Sequence, residues 1–159
     1  MDEGESIVGK NFADFQVKVV STKERMQVSE IMKGQATLLC FYSSWCGGCP
    51  TTIDAIDALC ATQKYHRKVQ FICVNINDDG DAQKMAIDRS WGSMIHVHAH
   101  DPSEYMVQYI PHLVLIAADG IVVRNFDGID AKTMEAQLDE VLIAARKAKQ
   151  LDHMKDNMK

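Results

Sequence analysis

Apolar and polar positions follow two different periods along this chain, and each period predicts a different element. Residues 14–20, DFQVKVV, alternate as a half-buried strand does. Residues 25–34 begin as a second short strand and continue into a helical turn that starts near Ser29, which predicts an N-terminal hairpin. Residues 36–44 and 68–76 are continuous apolar runs, which are typical of strands buried on both faces.

The segment between the two buried runs has apolar residues at the spacing of a helix. The segment Gly47–Pro50 is predicted to open this helix, because proline is well tolerated in a first helical turn. Residues 51–66 then place apolar side chains on one side. These side chains are Ile53, Ile56, Leu59 and Cys60. The pattern predicts a strand, helix, strand unit, followed by another helix over residues 78–92.

The second half of the chain predicts shorter elements and a final helix. Residues 94–101 read as a short strand or extended loop, and residues 102–109 as one or two helical turns. Residues 110–128 hold two apolar runs joined by Ala-Asp-Gly, which is a hairpin signal. Residues 130–150 have apolar positions at helical spacing, and the charged tail 149–159 is expected to fray.

Length and composition limit the broad class of protein. With 159 residues, the chain is predicted to form a single domain over 1–159, with its core at about 7–148. The 47% hydrophobic and 25% charged residues are typical of a soluble globular protein, and the apolar runs are far shorter than the ~20 residues that cross a bilayer. The acidic start lacks the pattern of a secretory signal, so we expect a cytoplasmic protein.

Net charge and the length of the apolar segments argue against two kinds of partner, nucleic acid and membranes. The formal net charge is -5, and the only basic block lies in the C-terminal tail, so we expect no binding to nucleic acid. We expect no membrane partner either, because no apolar segment is long enough to enter the bilayer.

Five cysteines occur in the chain, and Cys46 and Cys49 are the only pair at close spacing. In a reducing compartment, such a pair is typical of redox catalysis or metal binding. Cys46 is predicted to lie in the first helical turn, where backbone N–H groups and the helix dipole favour its thiolate. Cys49, one turn further, would be close enough to resolve a mixed disulfide. A zinc site is the weaker interpretation because the other cysteines are isolated, and a structural disulfide closing so short a loop is weaker still.

Two segments give the chain a recognisable family pattern, SSWCGGCP at residues 43–50 and YIPHLVLIAADGIVV at residues 109–123. With them, nearly the whole chain resembles the thioredoxin superfamily, and its longer middle segment and N-terminal hairpin resemble the tryparedoxin, nucleoredoxin and redoxin branch. The resemblance implies an α/β protein of thioredoxin-like fold, with a central mixed β-sheet flanked by helices and an N-terminal β-hairpin.

The resemblance also implies roles for residues around the cysteine pair. Trp45 matches the aromatic residue before the nucleophile, and Pro111 matches a proline that is cis and faces the sulfurs. Ile110 would offer its backbone to an extended substrate segment. The dipeptide between the cysteines is often Gly-Pro or Pro-Pro in the family, and here it is Gly47 and Gly48, so we expect a looser loop. We therefore predict Trp45, the two glycines, Ile110 and Pro111 as substrate-binding residues.

Two further positions depart from the family pattern. Cys40 stands where thioredoxin has a buried aspartate that helps to move protons, and Cys73 aligns with the lysine that partners it. Tryparedoxin-like proteins lack this aspartate as well, so we expect activity, with slower or more pH-sensitive exchange. We predict that Cys40 and Cys73 are buried neighbours, because two small thiols can pack where one unpaired charge could not. Their α-carbons should lie within or slightly above the roughly 4.4–6.8 Å window for bridging, although a disulfide between them is not the expected state.

Histidines and one further cysteine are weaker candidates. His96, His98 and His100 would share one face of a strand and so could hold a metal ion, but a polar strand at a sheet edge has the same pattern, and we predict no metal site. His112 is as consistent with tuning the thiols as with a half-buried strand position. Cys60 is predicted to be a small core residue.

The function that these features favour is thiol-disulfide exchange. We predict an oxidoreductase that reduces protein or small-molecule disulfides through Cys46 and Cys49, with no bound cofactor. Its partners would be disulfide-containing proteins and an electron donor, either a reductase or a small dithiol. A thioredoxin-like binding module without turnover is one alternative. A thiol peroxidase is another, although Trp45 and a Gly-Gly turn stand where a peroxide pocket would be needed.

Overall fold

The computed structural model describes residues 7–100, 105, 107, 109–127 and 131–158, which form seven strands and four α-helices. In chain order these are β1 (Gln16–Val19), β2 (Arg25–Gln27), α1 (Val28–Met32), β3 (Ala36–Tyr42), α2 (Cys49–Cys60), a 3-10 turn (Gln63–Tyr65), β4 (Val69–Asn75), α3 (Asp79–Asp88), β5 (Ile95–His98), β6 (His112–Ile116), β7 (Val122–Asp127) and α4 (Ala131–Asn157). The helical turn predicted over 102–109 lies mostly outside the described residues.

One mixed sheet organises the fold, with the strand order β2-β1-β5-β4-β3-β6-β7. Strands β3, β4 and β5 are parallel to their neighbours in this group, and the other pairs are antiparallel. Parallel neighbours need a crossover, which α2 supplies between β3 and β4 and α3 supplies between β4 and β5. The predicted fold class, a mixed sheet with flanking helices and an N-terminal hairpin, is confirmed.

The N-terminal hairpin extends the sheet beyond β5. Strand β1 pairs with β2, as predicted, and its other side pairs with β5 through Lys18 opposite His98 and Val19 opposite Val97. The histidine-rich strand β5 therefore lies inside the sheet, and the interpretation of it as an edge strand is wrong. Nothing in the alternation of β5 itself could show this, because the pairing joins segments far apart in sequence.

Two apolar layers cover the two faces of the sheet. In β3 every residue is buried, and alternate side chains point to opposite faces. Leu38, Cys40 and Tyr42 belong to the layer that also contains buried residues of α2 and α4, and we call this side the α2 face. Leu39 and Phe41 belong to the other layer, which contains the buried residues of α1. The continuous apolar pattern of β3 follows from burial on both faces.

The last helix, α4, is longer than the sequence predicts. It spans 27 residues, about 40 Å at the usual rise per residue, and includes most of the tail that was expected to fray. The expectation was wrong because a helix that is already docked continues without a new nucleation step, and Ala, Lys, Gln, Leu and Met favour that continuation. Side chains from Arg146 to Met158 are exposed. Within the described part of the chain, no helix combines the length and apolar character that crossing a bilayer requires.

Candidate active site

The cysteine pair lies at the carboxyl end of β3, where the chain turns into α2. Cys46 and Cys49 form a disulfide with their α-carbons 5.5 Å apart, inside the usual range for a disulfide. Helix α2 begins at Cys49, directly after Gly48 at the N-cap position. Cys46 therefore precedes the helix, and the prediction that it lies in the first helical turn is wrong. Pro50 lies in the first helical turn, as predicted, whereas the two glycines belong to the turn that leads into the helix.

The two sulfurs differ in their access to solvent. Cys49 is 0% exposed, whereas Cys46 is half-buried and belongs to the surface loop. The Sγ atom of Cys46 lies 3.6 Å from the carbonyl oxygen of Ile110. The peptide bond between Ile110 and Pro111 is cis, as the resemblance implied. Cys46 is therefore the sulfur that a large substrate can reach, and the Ile110 backbone lies beside it.

Exposed aromatic and glycine residues flank Cys46 in sequence and precede Ile110, whose carbonyl lies beside its sulfur. Trp45 is 75% exposed, and Gly47 and Gly48 are exposed as well. Tyr109, directly before Ile110, is 69% exposed. The sequence interpretation did not single out Tyr109, because it counted this residue as the end of a helical turn. Exposed aromatic side chains beside a reactive atom are suited to contact a partner protein, since they bury large areas with few rotatable bonds.

Polar contacts hold the loop before Cys46. Ser44 hydrogen bonds to Asn77, in the connection between β4 and α3, and its Oγ donates to Asp81 on α3 at 3.0 Å. The Cys46 N–H donates to the Ser43 carbonyl at 3.2 Å. The loop that presents Cys46 is therefore fixed from the neighbouring crossover. The sequence contains only a weak signal for this, since Asn and Asp are common after any strand.

A second set of contacts holds helix α2. Asp54 accepts hydrogen bonds from the Trp91 indole N–H and from the Arg89 guanidinium, both at 2.7 Å. One turn further, Asp57 accepts from the Ser93 N–H at 3.1 Å. These contacts connect the active-site helix to residues 89–93, the segment before β5. They fix the rotation of α2 and therefore the direction in which Cys49 points.

The buried thiol pair predicted beneath the disulfide is present. Cys40 on β3 and Cys73 on β4 are partners in the parallel pairing, and both are 0% exposed. Both are free thiols and belong to the same apolar layer as Cys49. Burial raises the pKa of Cys73 well above its ordinary value, and contact with Cys40 raises that pKa further. Thiols therefore replace the charged proton relay of the thioredoxin pattern.

The three histidines around β5 do not converge. The His96 ring stacks on Trp91 with centroids 6.1 Å apart, and its Nε2 lies 2.7 Å from the Trp91 carbonyl oxygen. His98 instead contacts Asn75 at 3.2 Å and the His100 ring at 5.3 Å. Burial lowers the pKa of both His96 and His98. Over the described ranges, no three His, Cys, Asp or Glu side chains are grouped so that they could hold a metal ion.

Two remaining candidates have structural positions. His112 is buried and lies 2.5 Å from Asn125, and it pairs with Phe41 on the face of the sheet opposite the disulfide. That position favours the interpretation of His112 as a buried strand residue over the one in which it tunes the thiols. Cys60 packs against the core while half-exposed, and its Sγ donates to the Ser93 carbonyl at 3.1 Å. Burial, assisted by Asp57, raises the pKa of Cys60 to about 11, so it is a poor nucleophile.

One protein family and several solved structures resemble this chain. The sequence matches the AhpC/TSA family over residues 8–146. The fold is similar to that of a protein assigned as thiol:disulfide interchange protein DsbE from Chlorobium tepidum, at 24% identity, with 85% of this chain and 97% of that chain covered and a TM-score of 0.75. No protein with a curated description matches the sequence.

Two further solved structures have the same fold. One is assigned as a thiol-disulfide oxidoreductase from Bacteroides vulgatus, at 19% identity, with 86% of this chain and 98% of that chain covered and a TM-score of 0.73. The other is a secreted Mycobacterium tuberculosis disulfide oxidoreductase homologous to DsbE of E. coli, at 18% identity, with coverages of 82% and 95% and a TM-score of 0.62. At these identities, the likeness establishes a shared thioredoxin-like fold.

Proposed function

The chain belongs to the AhpC/TSA family, and from this premise we propose that it is a tryparedoxin-like thiol-disulfide oxidoreductase that reduces disulfides through Cys46 and Cys49. The observation that carries the proposal is the difference between the two sulfurs. One belongs to the surface loop beside the Ile110 carbonyl, and the other is fully buried at the start of α2. This asymmetry supports attack by Cys46 and resolution by Cys49.

The reaction transfers two electrons from the dithiol to the substrate. The Cys46 thiolate attacks one sulfur of the substrate disulfide, and the other substrate sulfur leaves as a thiolate that takes up a proton. The Cys49 thiolate then attacks the Cys46 sulfur of the mixed disulfide, which releases the second substrate thiol and forms the Cys46–Cys49 disulfide. A reductase or a small dithiol returns the protein to its dithiol form.

Substrate recognition in this scheme uses the surface around Cys46. An extended substrate segment would pair with the Ile110 backbone beside Pro111, and Gly47 and Gly48 leave room for its approach, since nothing lies within 4 Å of a side chain built at either glycine. Trp45 and Tyr109 would contact the substrate on either side. These contacts suit protein disulfides in exposed, extended segments.

We further propose that the protein works in the reducing cytoplasm. The support is the spacing of the cysteines in the sequence, because Cys46 and Cys49 are the only closely spaced pair and the other three stand singly rather than as a disulfide framework. Fractionation of cells that express the tagged chain tests this, since the proposal requires the protein to be recovered in the cytoplasmic fraction.

Insulin reduction by dithiothreitol tests the activity. We expect the wild-type protein to accelerate insulin precipitation, a Cys46→Ser variant to lose this effect, and a Cys60→Ser variant to retain it. No acceleration by the wild-type protein would favour the binding module instead. Peroxide consumption without any partner protein would favour the thiol peroxidase. A Cys49→Ser variant, which cannot resolve the mixed disulfide, would then capture substrates for identification.

A further inference from the structure

Three neighbouring strands carry a row of reactive side chains behind the disulfide. Cys40 on β3 pairs with Cys73 on β4, and Cys73 pairs with His96 on β5. Side chains at paired positions of parallel strands point to the same face. This is the α2 face, because Cys40, Cys73 and the Trp91 that stacks on His96 all belong to its apolar layer. The row therefore consists of two thiol groups followed by an imidazole ring.

The imidazole at the end of the row has one ring nitrogen without a hydrogen-bond partner among the described residues. His96 Nε2 lies 2.7 Å from the Trp91 carbonyl oxygen, and because a carbonyl can only accept, Nε2 carries the hydrogen. Nδ1 then holds the lone pair. This atom is buried, and within the described part of the chain it has no hydrogen-bond partner. A buried acceptor without a partner is costly, so its retention in the residue that is paired with Cys73 across the strands needs an explanation.

We propose that Cys40 and Cys73 form a second dithiol/disulfide centre, which exchanges electrons with Cys46 and Cys49 and uses His96 Nδ1 as its base. This inference rests on the proposed redox activity of the surface pair. Neighbouring strands are ~4.8 Å apart, within the roughly 4.4–6.8 Å range of α-carbon separations in disulfides. Cys49 belongs to the same buried apolar layer as both thiols, so one sulfur of the surface pair lies on the side of the sheet that the buried pair faces.

The exchange balances in atoms and electrons with the surface disulfide as the oxidant. Cys73 passes its proton to His96 Nδ1 and takes the proton of Cys40, which leaves a Cys40 thiolate. This thiolate attacks the Sγ of Cys49, and Cys46 leaves as a thiolate that takes up a proton from solvent, while His96 gives its proton back to solvent. Cys73 then attacks the Cys40 sulfur, Cys49 leaves, and the Cys73 proton passes to Cys49. The surface pair gains two electrons and the buried pair loses two.

The structure also suggests the order of oxidation. Cys46 is half-buried in the surface loop, whereas Cys40 and Cys73 are both 0% exposed, so an external oxidant reaches the surface pair first. Burial raises the pKa of Cys73, which disfavours the thiolate and slows entry into the second centre unless a base is adjacent. The surface pair should therefore oxidise first and the buried pair afterwards.

Counting thiols in the wild-type protein tests the centre directly. The reduced protein is equilibrated with glutathione buffers up to pure oxidised glutathione, quenched with acid, unfolded and alkylated with a mass tag, and glutathione adducts are separated by mass. We expect five free thiols, then three, then one, with Cys40 and Cys73 recovered in a linked peptide. A Cys60→Ser variant should give four, two and none. A wild-type count that stops at three overturns the proposal.

Two variants test the route and the base. Replacing both Cys46 and Cys49 by Ser removes the internal oxidant, so oxidation of Cys40 and Cys73 should slow at least about tenfold. A His96→Gln variant keeps a donor to the Trp91 carbonyl and removes the Nδ1 lone pair, and the step from three thiols to one should slow at least about tenfold relative to the step from five to three. Unchanged rates would overturn the route and the base respectively.

The outcome also separates this inference from the proposed function. A protein that reduces insulin but retains three thiols in oxidised glutathione keeps the proposed function and loses the second centre. A protein that passes through five, three and one thiols without reducing insulin keeps the second centre and loses the proposed function.

Discussion

Asn77 holds Ser44 through both ends of its side-chain amide. The Ser44 N–H donates to Asn77 Oδ1 at 2.9 Å, and Asn77 Nδ2 donates to the Ser44 Oγ at 2.6 Å. Asn77 is itself held by a bond from its N–H to the Asn75 side chain at 2.9 Å. A residue after β4 thereby positions the loop after β3, two residues before Cys46. The reactive sulfur depends on a contact that spans two separate connections of the sheet.

Removing this contact should affect stability and activity together. An Asn77→Ala variant loses two half-buried hydrogen bonds, which should lower the free energy of unfolding by about 1–3 kcal/mol and reduce the rate of insulin reduction several-fold. Urea unfolding and the insulin assay measure the two effects. A Ser44→Ala variant is the matched control, since it keeps the bond from the Ser44 N–H and loses, besides the bond from Asn77 Nδ2, only the exposed bond from its Oγ to Asp81, so it should show a smaller loss. Equal losses in both variants would contradict the role of the backbone contact.

Alkylation should distinguish the two sulfurs of the reduced protein. Cys46 is half-buried and Cys49 is fully buried, so iodoacetamide at mildly acidic pH should label Cys46 first. Peptide mass spectrometry after short exposure identifies the labelled residue. Cys60 provides an internal control, because its pKa of about 11 should make it react slowly. Labelling of Cys49 before Cys46 would reverse the assigned roles.

The Gly-Gly dipeptide should make the protein less reducing than thioredoxin, with a potential above about -270 mV. A Gly48→Pro variant should shift this potential by about 10–20 mV toward more negative values. The estimate follows from the roughly 0.4–1 kcal/mol by which such a substitution restricts a flexible chain, at about 30 mV for 1.4 kcal/mol.

Equilibration with glutathione measures both potentials. Space is available for the substitution, because a Cβ at Gly48 meets nothing within 4 Å. A Gly48→Ala variant separates the effect of the proline ring from that of the added carbon. A wild-type value at or below that of thioredoxin would refute the first expectation, and a positive shift in the proline variant the second.

Buried His96 should make the protein less stable in acid. Burial lowers its pKa below the ordinary value of 6.5, although Asp57 and the contact with the Trp91 carbonyl oppose this shift. Below about pH 6.5 the unfolded chain therefore binds a proton that the folded protein does not, so the free energy of unfolding falls as the pH decreases. His96→Gln should lose less stability between pH 7.5 and 5 than the wild type. Urea unfolding at several pH values measures this. An identical pH dependence of the free energy of unfolding in both proteins would contradict the prediction.

The outer part of α4 should be dispensable for the fold. Side chains of residues 149–158 are all exposed, so a chain ending at Ala148 should melt within about 2 °C of the full chain and reduce insulin at the same rate. Scanning calorimetry measures the first quantity. A decrease of 5 °C or more would place the core boundary beyond the predicted residue 148.

The sequence was most informative where local pattern and packing agree. The continuous apolar runs of β3 and β4 predicted central strands, and the resemblance predicted Cys40 and Cys73 to be neighbours on them, which the parallel pairing confirms. The cysteine pair between a buried strand and a helix could be found in the same way. These features depend on residues close in sequence or on strands joined by one crossover.

What the sequence did not predict depends on distant or marginal interactions. The pairing of β1 with β5 makes β5 an interior strand. It joins two segments between which both the α2 and the α3 crossover lie in sequence. The start of α2 at Cys49 depends on a turn whose two glycines carry no apolar pattern. The position of His96 beside Cys73 required the register of three strands at once.

The added N-terminal hairpin also changes what the rim of the sheet offers to other molecules. Without β1 and β2, the unpaired backbone groups of β5 would be open to pairing with another extended chain. With them, the outermost strand on that side has three residues, Arg25 to Gln27, two of them polar and exposed. So short and polar an edge is a poor template for strand addition, which protects against edge-to-edge aggregation. On this side of the sheet a partner's backbone therefore finds little to pair with, in contrast to the Ile110 segment, where substrate pairing is proposed.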